Sequence, residues 1–162
     1  MGFIDWGLMA FVAVNVLAAM SGAVFKPDQW YDNLNKPSWN PPKWAFPVVW
    51  TIIFAMIALA GWIAYRAAGG LGGAPWAFVF YGLQLVLNAG WSAVFFGMKR
   101  PDLALIEVGF MFAAILINLI LFWQISTAAG LLMVPYLVWT AIAARLTMKI
   151  VELNPRNGSA EV

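Results

Sequence analysis

The side chains in this chain best suited to chemistry are indoles. Ten of its 162 residues are Trp, and it has no Cys and no His. Without His it lacks the commonest metal ligand and the commonest general base; a haem iron, if one were bound, would have no histidine ligand. Without Cys there are no disulfides and no thiol nucleophile. No nucleophile–base pair or metal-ligand cluster is visible. An indole offers a broad apolar face for stacking. Three Trp are spaced for a joint role. Trp50 lies five residues past Ala45, Trp91 seven before Met98 and Trp139 nine before Met148, each inside an apolar run. On helices these offsets correspond to depths of roughly 8 to 14 Å, too deep for an interfacial belt. Beside them lies "DQWYDNLNKPSWNPPKW", residues 28–44, which carries Trp30, Tyr31, Trp39 and Trp44 among three prolines. Two readings stand: simple core packing, or a cavity walled by aromatic faces with the 28–44 stretch as its lid.

Polar residues fall on the same faces. Gln84, Asn88, Trp91 and Phe95 are offset by 0, 4, 7 and 11 and share one side of a helix. Polar side chains in lipid are costly and face a bundle interior, so the stripe is expected to point inward, as interhelical glue or as part of a cavity. Pro135 and Tyr136 precede Trp139 by about one turn, Asn118 reads as helix–helix glue, and Glu107 is expected to pair with Lys99, Arg100 or Arg145. Ala18 and Gly22 form a small-xxx-small pair, a weak association signal.

The elements that must hold these residues are membrane helices. The chain is 64% hydrophobic and 10% charged, against about 25% charged in ordinary globular proteins. Uncharged runs define spans near 6–25, 44–65 and 75–98, and 37 uncharged residues between Glu107 and Arg145 divide at "QISTAAG" (124–130) into spans near 103–123 and 129–150. Each approaches the roughly 20 residues needed to cross the hydrocarbon core. Period-two alternation is absent, so an all-α five-helix bundle is expected, with one domain over 1–162 and a structured first loop over 26–43. The N-terminus lacks the basic region of a secretory signal and the myristoylation pattern. With five spans, Lys26, Lys36, Lys43, Lys99, Arg100, Arg145, Lys149 and Arg156 fall on one side and only Arg66 on the other. The positive-inside rule then places the first loop and the C-terminus in the cytoplasm and the N-terminus outside. Trp6, Trp62, Trp76 and Trp123 fall at the opposite ends and read as an aromatic belt. Nothing in the charge pattern calls for nucleic acid.

"WYDNLNKPSWNPPKWAFPVVWT" (30–51), "QLVLNAGWSAVFFGMKR" (84–100) and "VPYLVWTA" (134–141) resemble the TspO/MBR family of tryptophan-rich sensory proteins, which includes the translocator protein, or peripheral benzodiazepine receptor. The resemblance runs over essentially the whole chain and is to the bacterial type. It implies a multi-pass membrane bundle, usually a homodimer, whose cavity binds porphyrins such as protoporphyrin IX or haem and hydrophobic drug-like ligands, with no required cofactor. The matching positions are Trp30, Trp39, Trp50, Asn88, Trp91, Phe95 and Trp139, with Tyr31, Pro42, Phe46 and Tyr136 nearby. The function it implies is tetrapyrrole sensing, transport or regulation. The alternative is a light- and oxygen-dependent photo-oxidase that degrades porphyrin, in which Trp50 and Trp139 are the catalytic rings. The animal cholesterol motif is not matched: "LTMKIVE" places Met148 where its Tyr would stand, so cholesterol is not an expected ligand. Thr147 and Arg145 also depart from common family residues.

Overall fold

The computed structural model describes residues 5–155. Arg156 and residues 1–4, used in reading charge and the N-terminus, lie outside them. Six α-helices follow in chain order: α1 (Trp6–Val24), α2 (Gln29–Asn33), α3 (Ala45–Ala68), α4 (Pro75–Ser92), α5 (Pro101–Ile125) and α6 (Thr127–Leu153). A π-helical turn, Ala93–Gly97, extends α4. No strand occurs among the described residues. Five of these segments, all but α2, are long and apolar enough to cross a membrane. Helices suit that solvent because they satisfy their own backbone groups. The chain is an integral, multi-pass membrane protein.

Local sequence sets the boundaries. Asp5 caps α1 by accepting the Leu8 N–H at 3.1 Å, as N-cap carboxylates do. Gly69, with φ of 72°, ends α3, and the Gly70 N–H closes back on the Tyr65 carbonyl at 3.0 Å, an αL cap that favours glycine. Pro75 and Pro101 each occupy the first turn of their helices, where a missing N–H costs nothing. The break expected over 124–130 shrinks to Ser126, a single extended residue between α5 and α6. Gly130 is required there, because a Cβ on it would lie 2.8 Å from the Trp123 Cα.

The helices close into a ring in the order α1, α3, α6, α5, α4 and back to α1. The end carrying the first loop also carries the α4–α5 connection and the end of α6, and all the described basic residues except Arg66. At the opposite end Trp6 and Trp76 are largely exposed, as an aromatic belt requires, whereas Trp62 turns inward beneath the Arg66 guanidinium, 5.9 Å from its ring centre. The interior at that end is a closed aromatic core. Phe11 meets Tyr65 and Tyr81 edge-on, with centroids at 5.8 and 5.4 Å, and Tyr81 stacks on Phe122 at 5.7 Å. Asn15 donates to the Tyr81 hydroxyl at 2.6 Å, which donates onward to the Ile57 carbonyl at 3.1 Å. Asn118 donates to the Ala77 carbonyl at 2.9 Å, the glue expected of it. The Ala18–Gly22 pair is divided: Ala18 is buried in the core and Gly22 is exposed, so the two do not form one exposed seam.

Candidate aromatic site at the loop-1 end

The first loop is a folded element rather than a linker. Asp28 caps α2, accepting from the N–H groups of Trp30 at 3.0 Å and Tyr31 at 3.4 Å. Lys36 closes its other end, its ammonium donating to the carbonyls of Tyr31, Leu34 and Asp32 at 2.6, 2.9 and 3.1 Å. Lys43 pairs with Asp32. Two ties then fix the loop to the bundle. Lys99 pairs with Asp28 at 2.9 Å and its ammonium lies 5.9 Å from the Trp30 ring centre. Asn35 and Asn154 form a reciprocal clasp: the Asn35 N–H donates to Asn154 Oδ1 at 2.9 Å, and Asn154 Nδ2 donates to the Asn35 carbonyl at 2.8 Å. Asp28 lies outside the membrane-spanning segments. The Lys99 ammonium, with the Tyr31 and Trp30 N–H groups, holds its carboxyl below the usual carboxylate value. Burial pushes the Tyr31 phenol up.

These ties press α2 onto the π-helical turn of α4. Tyr31 is buried against Phe95 and Phe96, with centroids at 6.2 and 5.6 Å, and its hydroxyl donates to Asn40 Oδ1 at 3.3 Å. Trp30 meets Phe95 edge-on at 6.0 Å. Phe95 in turn stacks on Trp91, with centroids 5.0 Å apart and planes 24° from parallel. The π turn inserts one residue into the helix, shown by the Met98 N–H reaching the Ala93 carbonyl at 2.8 Å. Such insertions concentrate at functional sites. Here the turn presents both Phe95 and Phe96 to α2.

The second group lies on α3 and α6. Phe46 meets Trp139 at 6.1 Å, and Trp50 meets Phe54 at 5.7 Å and Tyr136 at 6.2 Å. Asn88 joins the two groups: one turn before Trp91 on α4, it donates to the Tyr136 hydroxyl at 2.9 Å. Trp30, Tyr31, Phe46, Trp50, Asn88, Trp91, Phe95, Tyr136 and Trp139 thus form one connected assembly of rings around an amide–phenol bridge. Trp39 and Pro42 stand apart. Trp39 is 43% exposed and makes no ring contact, and Pro42 contributes its carbonyl to the turn opening α3. The loop covers the site through α2 rather than through Trp39, and it touches the Trp91–Phe95 stack rather than Trp50 or Trp139.

The expected inward stripe on α4 is present: Gln84, Asn88 and Phe95 are all buried, and Trp91 is half-buried. Gln84 is not interhelical glue, because its buried amide has no partner. The indole N–H groups of Trp91 and Trp139 and the Thr140 hydroxyl are also buried and unpartnered. So are both oxygens of Glu107. The expected ion pair at Glu107 does not form: Lys99 is taken by Asp28, Arg100 forks onto Asp102 at 2.8 and 2.6 Å, and Arg145 is exposed on α6. Beside Trp139, a groove of about 400 Å³ between α3 and α6 opens on the apolar surface, lined by Ile52, Met56, Pro135 and Val138 among others.

A five-helix membrane bundle with an aromatic site under its first loop defines the class of protein. The chain matches the TspO/MBR family over residues 10–153, and it belongs to that family. It is 45% identical to a tryptophan-rich sensory protein of Cereibacter sphaeroides over 151 residues, 93% of each chain. It is 38% identical to a tryptophan-rich protein TspO of Chlorobaculum tepidum, covering 89% of this chain and 93% of that one. It is 31% identical to the human translocator protein, covering 85% and 84% respectively.

Proposed function

We propose that the loop-1 half of the bundle binds porphyrins and other flat hydrophobic ligands, and that the protein acts in tetrapyrrole sensing, transport or regulation. The observation that carries this reading is the assembly of aromatic rings on α2, α3, α4 and α6 around the Asn88–Tyr136 bridge. Wide apolar faces with a few convergent polar groups are what a macrocycle needs. Family membership supports the reading, as does the name "translocator protein" carried by the human relative. Porphyrin propionates belong at the loop-side water boundary. Lys36 is spent on three carbonyls and Lys149 pairs with Glu152 at 2.5 Å, which leaves Arg145 and Lys26, both exposed and with no ion pair among the described residues, as their counter-charges. The loop-1 end faces the cytoplasm by its basic excess, and the protein works as a homodimer without a resident cofactor.

Titrating protoporphyrin into the purified protein in the dark should quench Trp emission saturably, and Trp139→Phe should weaken the quenching. Absence of quenching, or identical curves for both proteins, contradicts the reading. The Trp50–Tyr136 ring contact favours a second one, the light- and oxygen-dependent porphyrin photo-oxidase, because it sets two oxidisable rings side by side. Illumination in air separates the two: loss of porphyrin bleaching in Trp50→Phe and Trp139→Phe supports the enzyme, and unchanged bleaching in both excludes it.

A further inference from the structure

Glu107 is a carboxylate that has no counter-ion among the described residues and lies inside a membrane bundle. It lies on the second turn of α5, and Oε1 approaches α4 at Gly90, 3.8 Å from where a Cβ there would stand. Gly90 lies between Asn88 and Trp91 on α4. Both of its oxygens are sealed from the surface and accept no hydrogen bond. Every described basic side chain near this end is either engaged elsewhere or exposed. An intramembrane carboxylate is expensive, and its full acceptor capacity is unused. The polar groups around it share this condition. The Tyr136 hydroxyl accepts from Asn88 and donates to no protein atom, and the Thr140 hydroxyl, one turn further along α6, has no partner.

We propose that Glu107 makes this site selective for flat ligands that present a positively charged, N–H-donating nitrogen to its floor. The inference rests on the aromatic-site reading and adds its chemical preference. The carboxylate would take a charge-assisted hydrogen bond from that nitrogen, about twice as strong as a neutral one. When ionised, it would repel an anionic group carried to the same depth, which turns the acidic edge of a tetrapyrrole outward, toward Arg145.

The test uses two flat tricyclic probes on the full chain in non-ionic detergent at pH 8: 9-aminoacridine, a cation, and anthracene, its uncharged carbon counterpart. Each is titrated by Trp quenching and by calorimetry against wild type and Glu107→Gln. Wild type is expected to bind the cation roughly tenfold or more tighter than anthracene. Glu107→Gln is expected to lose that preference while keeping its affinity for anthracene. A wild type with no preference overturns the proposal without reference to any variant. A preference that survives in Glu107→Gln also overturns it. Wild type that binds neither probe overturns the aromatic site itself, and this inference with it, so the two failures are distinguishable.

Discussion

The bundle contains two Asn–Tyr bridges between helices, one at each end, and they are used differently. At the closed end, Asn15 of α1 donates to Tyr81 of α4, and the Tyr81 hydroxyl donates to the Ile57 carbonyl on α3. Rings fill the space around it, and Gly61 is so tightly covered that a Cβ there would lie 2.7 Å from Phe11 and 2.8 Å from Tyr81. At the loop-1 end, Asn88 of α4 donates to Tyr136 of α6, and the chain of donors stops. Around that bridge lie two indole N–H groups, a hydroxyl and an entire carboxylate without partners. Unpartnered buried atoms among the described residues are not confined to this end, since Asn15 Oδ1, Asn118 Oδ1 and the Trp62 N–H also lack partners at the closed end, but only the loop-1 end has a carboxylate among them. Buried polar groups are normally satisfied, and clusters of exceptions mark places where something else is meant to bind.

Breaking the closed end should cost stability and nothing else. Gly61→Ala forces Phe11 and Tyr81 apart and is expected to destabilise the fold by about 1 to 3 kcal/mol, read as a lower thermal midpoint in detergent, with porphyrin affinity per folded molecule unchanged. Asn88→Leu, at the open end, should cost less stability, about 0.6 to 2 kcal/mol for one interhelical hydrogen bond. It should weaken protoporphyrin binding in the same dark titration, a pairing of effects that Gly61→Ala does not show.

The loop sharpens the contrast further, because only the open end has a cover. Asn154→Ala removes the clasp to Asn35, worth about 1 kcal/mol of loop docking. Stopped-flow quenching should show faster porphyrin association and release with a smaller change in affinity. The smallest effect concerns the Asp28–Lys99 tie. Its folded carboxyl titrates below the ordinary value of 3.8, so the docking contribution is fully present above that value and is lost as pH falls through the lowered folded pKa. Acidification through this range should loosen α2 and shift Trp30 emission to the red. Asp28→Asn should abolish that shift, and high salt should mimic it.

Much of this was legible in the sequence. Charge-free runs located all five spans to within a few residues, because in lipid a single strong rule governs every helix. The inward stripe on α4 followed from offsets of 0, 4, 7 and 11. What the sequence hid were contacts set by tertiary geometry. Asn35 and Asn154 are 119 positions apart and neither is unusual in its own segment. The π turn at Ala93–Gly97 has no periodic signature, yet it decides that α2 rests on Phe95 and Phe96. Glu107 is expected to find a cation because Lys99, Arg100 and Arg145 fall at the same end of the bundle; each is drawn off, to Asp28, to Asp102 or to the surface. Trp39 was placed in the lid by its company in a Trp-rich stretch, but the chain turns it outward.

The most direct measurement is a paired protoporphyrin titration of Tyr136→Phe and Tyr81→Phe in the dark, followed by Trp emission. Each variant removes one buried phenol hydroxyl from one Asn–Tyr bridge. Weakened binding in Tyr136→Phe, with Tyr81→Phe matching wild type, is the result predicted here. Equal affinities in both variants, or a loss confined to Tyr81→Phe, would contradict it.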